Sequence, residues 1–480
     1  MQPNHVMSSL PPRVTSPSHW LQGPSYYVRR DPLQWITKWF KEYGDIYRIA
    51  SPLGQATVVG SPELARQVLV DRYPRYQQKS RAYTVLRILM GNGLVTSEGE
   101  FWRGQRRLVQ PAFHRRRLDA LFTMMVERVT DCAARLAQVA AAGKTVDMTP
   151  LLSQLTLDII SRAMFSSDVQ GAAADVSRHI AALNEYALRM LRRPWLFLLP
   201  RRFPTPFNYE QYRSLKSLND IVRGIIQVRR RQPEAHDDLL NMLLTACEEG
   251  TGRGMTDDQL RDEVMTIFVA GHETTANAMA WLLYLVSQHS GVEEQLLAEI
   301  DAHWPEGGLT LENIGAFVFV RQVIEESMRV YPTIWSIGRC CTEEDELGGC
   351  RIPAGMNVVV PIFHFHWNER YWPEPQKFDP SRFSPERRPP PEPMIYFPFG
   401  AGPRSCIGNH FALQELTIMT ILFYRHFRFS LQPGFTVEPD PLITLRPKHG
   451  MMMTLRPRQT LSPNVAGPRS IAVSANVSGG

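Results

Sequence analysis

The stretch "FGAGPRSCIGNHFA", residues Phe399–Ala412, sets one cysteine among glycines, beside an arginine and ahead of a helix-forming run. A buried structural cysteine needs none of these neighbours. Gly400 and Gly402 permit a tight backbone and the close approach of a large flat ligand. Cys406 falls at a loop-to-helix junction, where free N–H groups and the positive helix end favour a thiolate. Arg404 is placed to pair with a carboxylate of that ligand, and Gly408 again leaves room. The stretch therefore predicts a thiolate facing a flat, anionic cofactor, against the plainer reading of a buried cysteine in a glycine turn.

The remainder of the chain has ordinary globular composition: 480 residues, 44% hydrophobic, 21% charged, formal net charge +6. That length buries a substantial core. The longest apolar run, Ala278–Val286, is half of what spans a bilayer, and the Pro/Ser-rich N-terminus lacks the apolar segment of a signal peptide. A cytoplasmic protein is the expectation. Six scattered cysteines argue against a disulfide framework, and Cys340, Cys341 and Cys350 lack zinc-site spacing. The arginine-dense segment Phe101–Asp119 reads as a solvated helix face or a docking surface for an acidic protein. No nucleic-acid motif accompanies it.

Organisation follows from periodicity and breakers. Strand signals come early, over Asp45–Ser61, and the pattern from Pro62 to Gln288 is overwhelmingly helical. "GNG" at Gly91–Gly93 interrupts it, as does the proline-broken aromatic segment Arg192–Phe207, which reads as a loop with an apolar face around Trp195–Leu199. The strongest helix starts at Thr256, with Gln259 as capping-box partner and two aspartates in its first turn, and is expected to reach His289. A second helix is expected over Phe317–Tyr331, and a hairpin with a Gly-Gly turn over Gly348–Pro361. Residues 1–34 read as an N-terminal extension, 35–457 as one domain, and the low-complexity stretch from Arg458 to Gly480 as disordered.

With these pieces in order, the quoted stretch resembles the haem-binding signature FxxGxRxCxG of the cytochrome P450 superfamily, matched by Phe399, Gly402, Arg404, Cys406 and Gly408. Other segments resemble further family motifs. "EESMR" carries Glu326 and Arg329 in the ExxR arrangement, and "FDPSRF" supplies Arg382 as the third member of a Glu-Arg-Arg network. "AGHETT" (Ala270–Thr275) is similar to the oxygen-binding motif, and Trp102 with Arg106 matches WxxxR. His272-Glu273 also starts a zinc-type HExxH, but Ala276 stands where the second histidine belongs. "HWNERYWPEP" departs from the family's HRDPxYW at Asn368 and Glu369.

The resemblance implies a mainly α fold with a small β-rich lobe and a long central helix over haem b. It makes Cys406 the axial ligand of iron. Trp102, Arg106, Arg339 and Arg404 would hold the haem propionates, while Phe399, Gly400, Gly408, Ala270 and Gly271 border the cofactor. Glu273 and Thr274 would supply protons for oxygen activation, and Glu326, Arg329 and Arg382 would fix the loop that holds the cysteine. A substrate pocket is expected around Tyr83–Leu94, Trp195–Leu199, Phe268 and Ala270, and Thr333–Ile337, with Ile334 and Trp335 prominent. The expected activity is a monooxygenase for a hydrophobic molecule such as a fatty acid, terpenoid or steroid. Electrons would come from a separate ferredoxin- or flavodoxin-type partner and its reductase. A peroxide-driven peroxygenase, a haem-thiolate isomerase and a non-catalytic haem sensor are the alternatives.

Overall fold

The computed structural model describes residues 9–15, 24–51, 54–165, 173–192, 206–231, 238–246, 252, 254–390 and 392–458. Its organising element is the helix Asp257–Ser287, whose 31 residues span ~46 Å at 1.5 Å per residue. The capping box forms as the sequence predicts. Gln259 N donates to Thr256 Oγ1 at 3.3 Å, and Thr256 N donates to Gln259 Oε1 at 2.8 Å. The helix ends at Ser287 rather than His289.

Along most of its length this helix is buried on every side, as expected of an element in the middle of a large core. Met148–Phe165 runs against it, Thr156 Oγ1 donating to the His272 carbonyl at 2.9 Å. The helices Val318–Val330 and Asn409–His426 pack against it as well. Towards its C-terminal end Trp281 stacks on Tyr331 at 4.1 Å and donates to the Leu445 carbonyl at 2.9 Å.

The β-rich lobe is a five-stranded mixed sheet in the order Ile46–Ser51, Gly54–Val59, Asn357–Val360, Ile337–Cys341, Tyr76–Gln77. The first pair is antiparallel, with Ile46 opposite Val59; the second is parallel, with Ala56 opposite Asn357. Ile337, Arg339 and Cys341 point inward and their neighbours do not, the period-2 signature of a half-buried strand. This lobe has its own core, with Val59, Val68, Val358 and Phe365 at its centre.

Three details differ from expectation. The Gly348-Gly349 turn closes a hairpin between Asp345–Leu347 and Cys350–Ile352, not one within Gly348–Pro361; Asn357–Val360 belongs to the main sheet. Upstream of residue 35, the helix Pro32–Tyr43 runs across the anticipated boundary, and buried Val14 joins Trp39 and Tyr47 in an aromatic cluster. Arg458 is ordered: its guanidinium donates to the Tyr424 carbonyl at 2.9 Å and pairs with Asp301. The Trp195–Leu199 segment and residues 459–480 lie outside the described residues.

Candidate active site

The quoted loop turns on two left-handed glycines, Gly400 (φ 73°) and Gly402 (φ 69°). At Gly402 a side chain is doubly excluded, because a Cβ there would overlap the Leu69 carbonyl oxygen. The loop is closed by Cys406 N donating to the Phe399 carbonyl at 2.9 Å, and by Ser405 N to Gly402 O at 3.0 Å. Gly408 then caps the helix Asn409–His426.

This geometry presents Cys406 to a cavity of about 820 Å³. Cys132 is buried in the helical core, and Cys340, Cys341 and Cys350 sit in β-strands without lining the cavity themselves. Cys406 is open to the cavity, and desolvation by the surrounding wall raises its thiol above its ordinary value; the Gly408 N–H and the Arg106 charge oppose that. A cation at the sulfur would favour the thiolate further.

Around the same cavity stand Trp102, Arg106, Arg339 and Arg404. Arg404 lies 3.9 Å above the Trp102 ring and donates to Gln78 Oε1 at 3.0 Å and Ser97 O at 2.9 Å. Burial, then the nearby Arg339 charge, pushes it down to about 10. Two such cations side by side favour an anionic guest. Arg106 bridges to the cysteine loop, donating to Ser405 O at 3.0 Å, and Arg339 donates to Tyr83 Oη at 3.2 Å. Phe399, Gly400 and Gly408 line the wall; a Cβ on Gly408 would sit 4.0 Å from Cys406 Sγ. A soft sulfur donor, three guanidiniums and glycine-trimmed walls fit a flat metalloporphyrin bearing two carboxylates.

Across the cavity the central helix contributes Ala270, Gly271, Glu273 and Thr274. A Cβ on Gly271 would meet Ile160 at ordinary contact, 3.5 Å, so packing within the protein does not demand glycine there. Thr274 Oγ1 donates to the Ala270 carbonyl at 2.8 Å, the back-bond common for mid-helix threonines, and its lone pairs remain able to accept. Glu273 Oε1 accepts from Thr444 Oγ1 at 2.7 Å. Asn277 Nδ2 donates to that same hydroxyl at 3.3 Å. No motif at residues 442–444 signals this contact.

The Glu326 network is buried and largely satisfied. Arg329 makes a bidentate pair with Glu326 at 2.7 and 2.8 Å and donates to the His366 and Lys377 carbonyls. Arg382 approaches Glu326 at 3.5 Å but spends its hydrogen bonds on the Pro373 and Glu374 carbonyls. The network therefore grips the chain over 366–382. It reaches toward the cysteine loop through His366, whose Nε2 accepts from Phe397 N at 3.2 Å.

Of the anticipated substrate contacts, Ala270, Ile334 and Trp335 line the cavity, as do Tyr83, Leu86, Met90 and Leu94. Phe268 does not. It is 2% exposed and packed in the helical core, because residues two apart on a helix diverge by about 200°, so Phe268 and Ala270 cannot share a face. Thr266, Ile267 and Val269 line the wall instead, joined by Leu442, Ile443 and Thr444.

A family model described as Cytochrome P450 matches residues 12–455. Cyclooctat-9-en-7-ol 5-monooxygenase of Streptomyces melanosporofaciens is 34% identical over 417 residues, covering 87% of this chain and 89% of that protein. Pentalenene oxygenase of Streptomyces avermitilis is 30% identical over 431 residues, covering 88% and 92%. Among solved structures, the heme domain of cytochrome P450DA superposes with a TM-score of 0.85 at 25% identity, over 94% of this chain and 98% of that one. The chain belongs to the cytochrome P450 family, haem-thiolate monooxygenases whose cofactor is haem b.

Proposed function

We propose that this monooxygenase acts on a largely hydrocarbon, cyclic substrate of terpenoid type and takes electrons from a separate acidic ferredoxin- or flavodoxin-type protein in the cytoplasm. The observation that carries the substrate class is the cavity itself: predominantly apolar walls, from Leu86 and Met90 to Ile334, Trp335 and Ile443, leading down to Cys406. Few charges would meet a guest above the cysteine, so binding rests on excluded water rather than on ion pairing. Two relatives named for cyclooctat-9-en-7-ol and pentalenene point the same way. No described helix is long and apolar enough to cross a membrane.

Bound haem supplies the activation of dioxygen, and the protein's own part is to hold, orient and protonate. Cys406 would ligate the iron, and Trp102, Arg106, Arg339 and Arg404 would hold its carboxylates. Thr274 offers a hydroxyl to the cavity while Thr444 holds Glu273 beside it. A hydroxyl and a carboxylate so placed can pass protons inward from solvent. Titrating the haem-loaded protein with cyclic terpenes and with fatty acids, and reading the Soret shift, tests the substrate class; a response to fatty acids alone would reject it.

Thr274→Ala is expected to keep haem and to consume NAD(P)H, but to release peroxide in place of much of its product. Glu273→Gln is expected to slow turnover by about 100-fold or more. Peroxide assays and product yield per NAD(P)H check both. Wild-type coupling in both variants would move the peroxygenase or isomerase reading ahead.

For the electron partner, Arg103 and Arg107 share the helix Gly99–Val109 with Arg106, which touches the cysteine loop. Arg103 already pairs with Glu100, whereas Arg107 and Arg115 are exposed. Rates of first electron transfer should fall as salt rises, and fall further in Arg107→Glu/Arg115→Glu. A rate indifferent to both would remove the acidic partner from the proposal.

A further inference from the structure

The Gly91-Asn92-Gly93 turn has no role in the chemistry described so far, yet it is built with unusual closeness to the central helix. Gly91 has φ 64°, and a Cβ there would overlap the Asp262 carboxylate. On Gly93 a Cβ would overlap Thr266 Oγ1 and lie 2.6 Å from the Asp262 carbonyl oxygen. The turn is held by two adjacent carboxylates of the helix. Asn92 N donates to Asp262 Oδ2 at 2.7 Å, and Leu94 N donates to Glu263 Oε2 at 3.0 Å. Arg261 braces Asp262 at 2.5 Å and donates to Asn219 on the helix Pro206–Arg231.

Glu263 is the informative member. It is 0% exposed, and its Oε1 has no hydrogen-bond partner among the described residues. Burial pushes its carboxyl up to about 8; the Leu94 N–H opposes that, and the neighbouring Asp262 charge adds to it. A leucine would be cheaper to bury there. What the carboxyl gains is the backbone of Leu94, whose side chain, with that of Val95, lines the cavity. Arg404 holds the same segment from the other side, donating to the Leu94 carbonyl at 3.4 Å and to the Ser97 carbonyl at 2.9 Å. The wall residues Leu94 and Val95 thus hang between two polar anchors, one on the central helix and one beside the cysteine.

We propose that Glu263, with Asp262, latches the Gly91-Asn92-Gly93 turn to the central helix and thereby sets the shape of the cavity wall, as a specificity-setting positioning residue. The inference rests on the reading that this cavity holds the substrate over haem. In Glu263→Leu the Leu94 amide loses its acceptor, and the wall is loosened on the side of the central helix while Arg404 still holds the Leu94 carbonyl. In Glu263→Gln the side-chain carbonyl still accepts from Leu94. Gly93→Ala drives the turn off the helix from the opposite side, leaving both carboxylates in place.

The test uses the haem-loaded full chain and two readouts. The first is hydrogen exchange at the Leu94 amide. The second is the affinity ratio of two haem ligands, imidazole and the bulkier 4-phenylimidazole, read from the Soret band. Glu263→Leu and Gly93→Ala should each speed Leu94 exchange about 10- to 100-fold and shift the affinity ratio about tenfold, while Glu263→Gln stays within about twofold on both. Leu94 exchange at the wild-type rate in Glu263→Leu would overturn the proposal. So would a uniform rise that includes the amides of Val318–Val330, since that is global destabilisation. Failure of wild-type protein to bind either azole would instead reject the haem reading, and the exchange measurement would still decide the latch.

Discussion

Replacing Cys406 with alanine is expected to abolish the carbon monoxide difference band typical of thiolate-ligated haem, whereas Cys340→Ala and Cys350→Ala leave it intact. Of these three cysteines, only Cys406 lines the cavity; Cys340 shares the strand Ile337–Cys341 with lining residues but does not itself line the wall, and Cys350 lies on another strand. An alanine at 406 removes the sulfur without crowding the loop, whose closing bonds from Cys406 N and Ser405 N are main-chain bonds. The fold should therefore survive the substitution. Oxygen activation should not, because Cys406 would supply the anionic sulfur ligand on which the haem's oxygen chemistry depends. Absorbance of the reduced, carbon monoxide-treated variants checks this. A normal thiolate band in Cys406→Ala would place the ligand elsewhere.

Arg329→Ala should cost a large share of the protein's stability. Arg329 is 0% exposed, paired to an equally buried Glu326, and supports the His366 and Lys377 carbonyls. Burial raises the Glu326 carboxyl, and its hydrogen bond and charge interaction with Arg329 are the strongest opposing influences. Removing one partner of such a pair costs about 3–5 kcal/mol, against a typical total of about 5–15 kcal/mol. Glu326 would then stand beside the more distant Arg382 alone, and two carbonyls would lose their donor. Arg329→Lys should not rescue it, because one ammonium cannot serve both carboxylate oxygens and two separate carbonyls. Urea unfolding followed by circular dichroism measures the loss. A wild-type midpoint in Arg329→Ala would mean the network is dispensable.

What could be read from the sequence was what is local or stereochemically forced. The capping box at Thr256 and Gln259 needs only neighbours in the chain, and it forms as written. The glycines at 400 and 402 announce a backbone that other residues resist, and both adopt positive φ. Long-range pairings were less legible. The Gly348-Gly349 turn was visible, but which strands it joined depended on the sheet claiming Asn357–Val360. Phe268 was misplaced because hydrophobicity does not give helix phase when every face of the helix is buried. Thr444 meets Glu273 across 171 residues of chain, and nothing in its own neighbourhood advertises that contact. The latch at Glu263 was equally silent, since "GNG" signals a turn without saying what the turn leans on.

The origin of the inserted oxygen distinguishes a monooxygenase most directly. Haem-loaded protein, a ferredoxin, its reductase and NAD(P)H should be supplied with ¹⁸O-labelled dioxygen and a cyclic terpene that shifts the Soret band. The account predicts one labelled oxygen atom in each product molecule and one NAD(P)H consumed for each product formed. Product whose oxygen comes from water, or that forms from added peroxide but never from dioxygen and NAD(P)H, would contradict it.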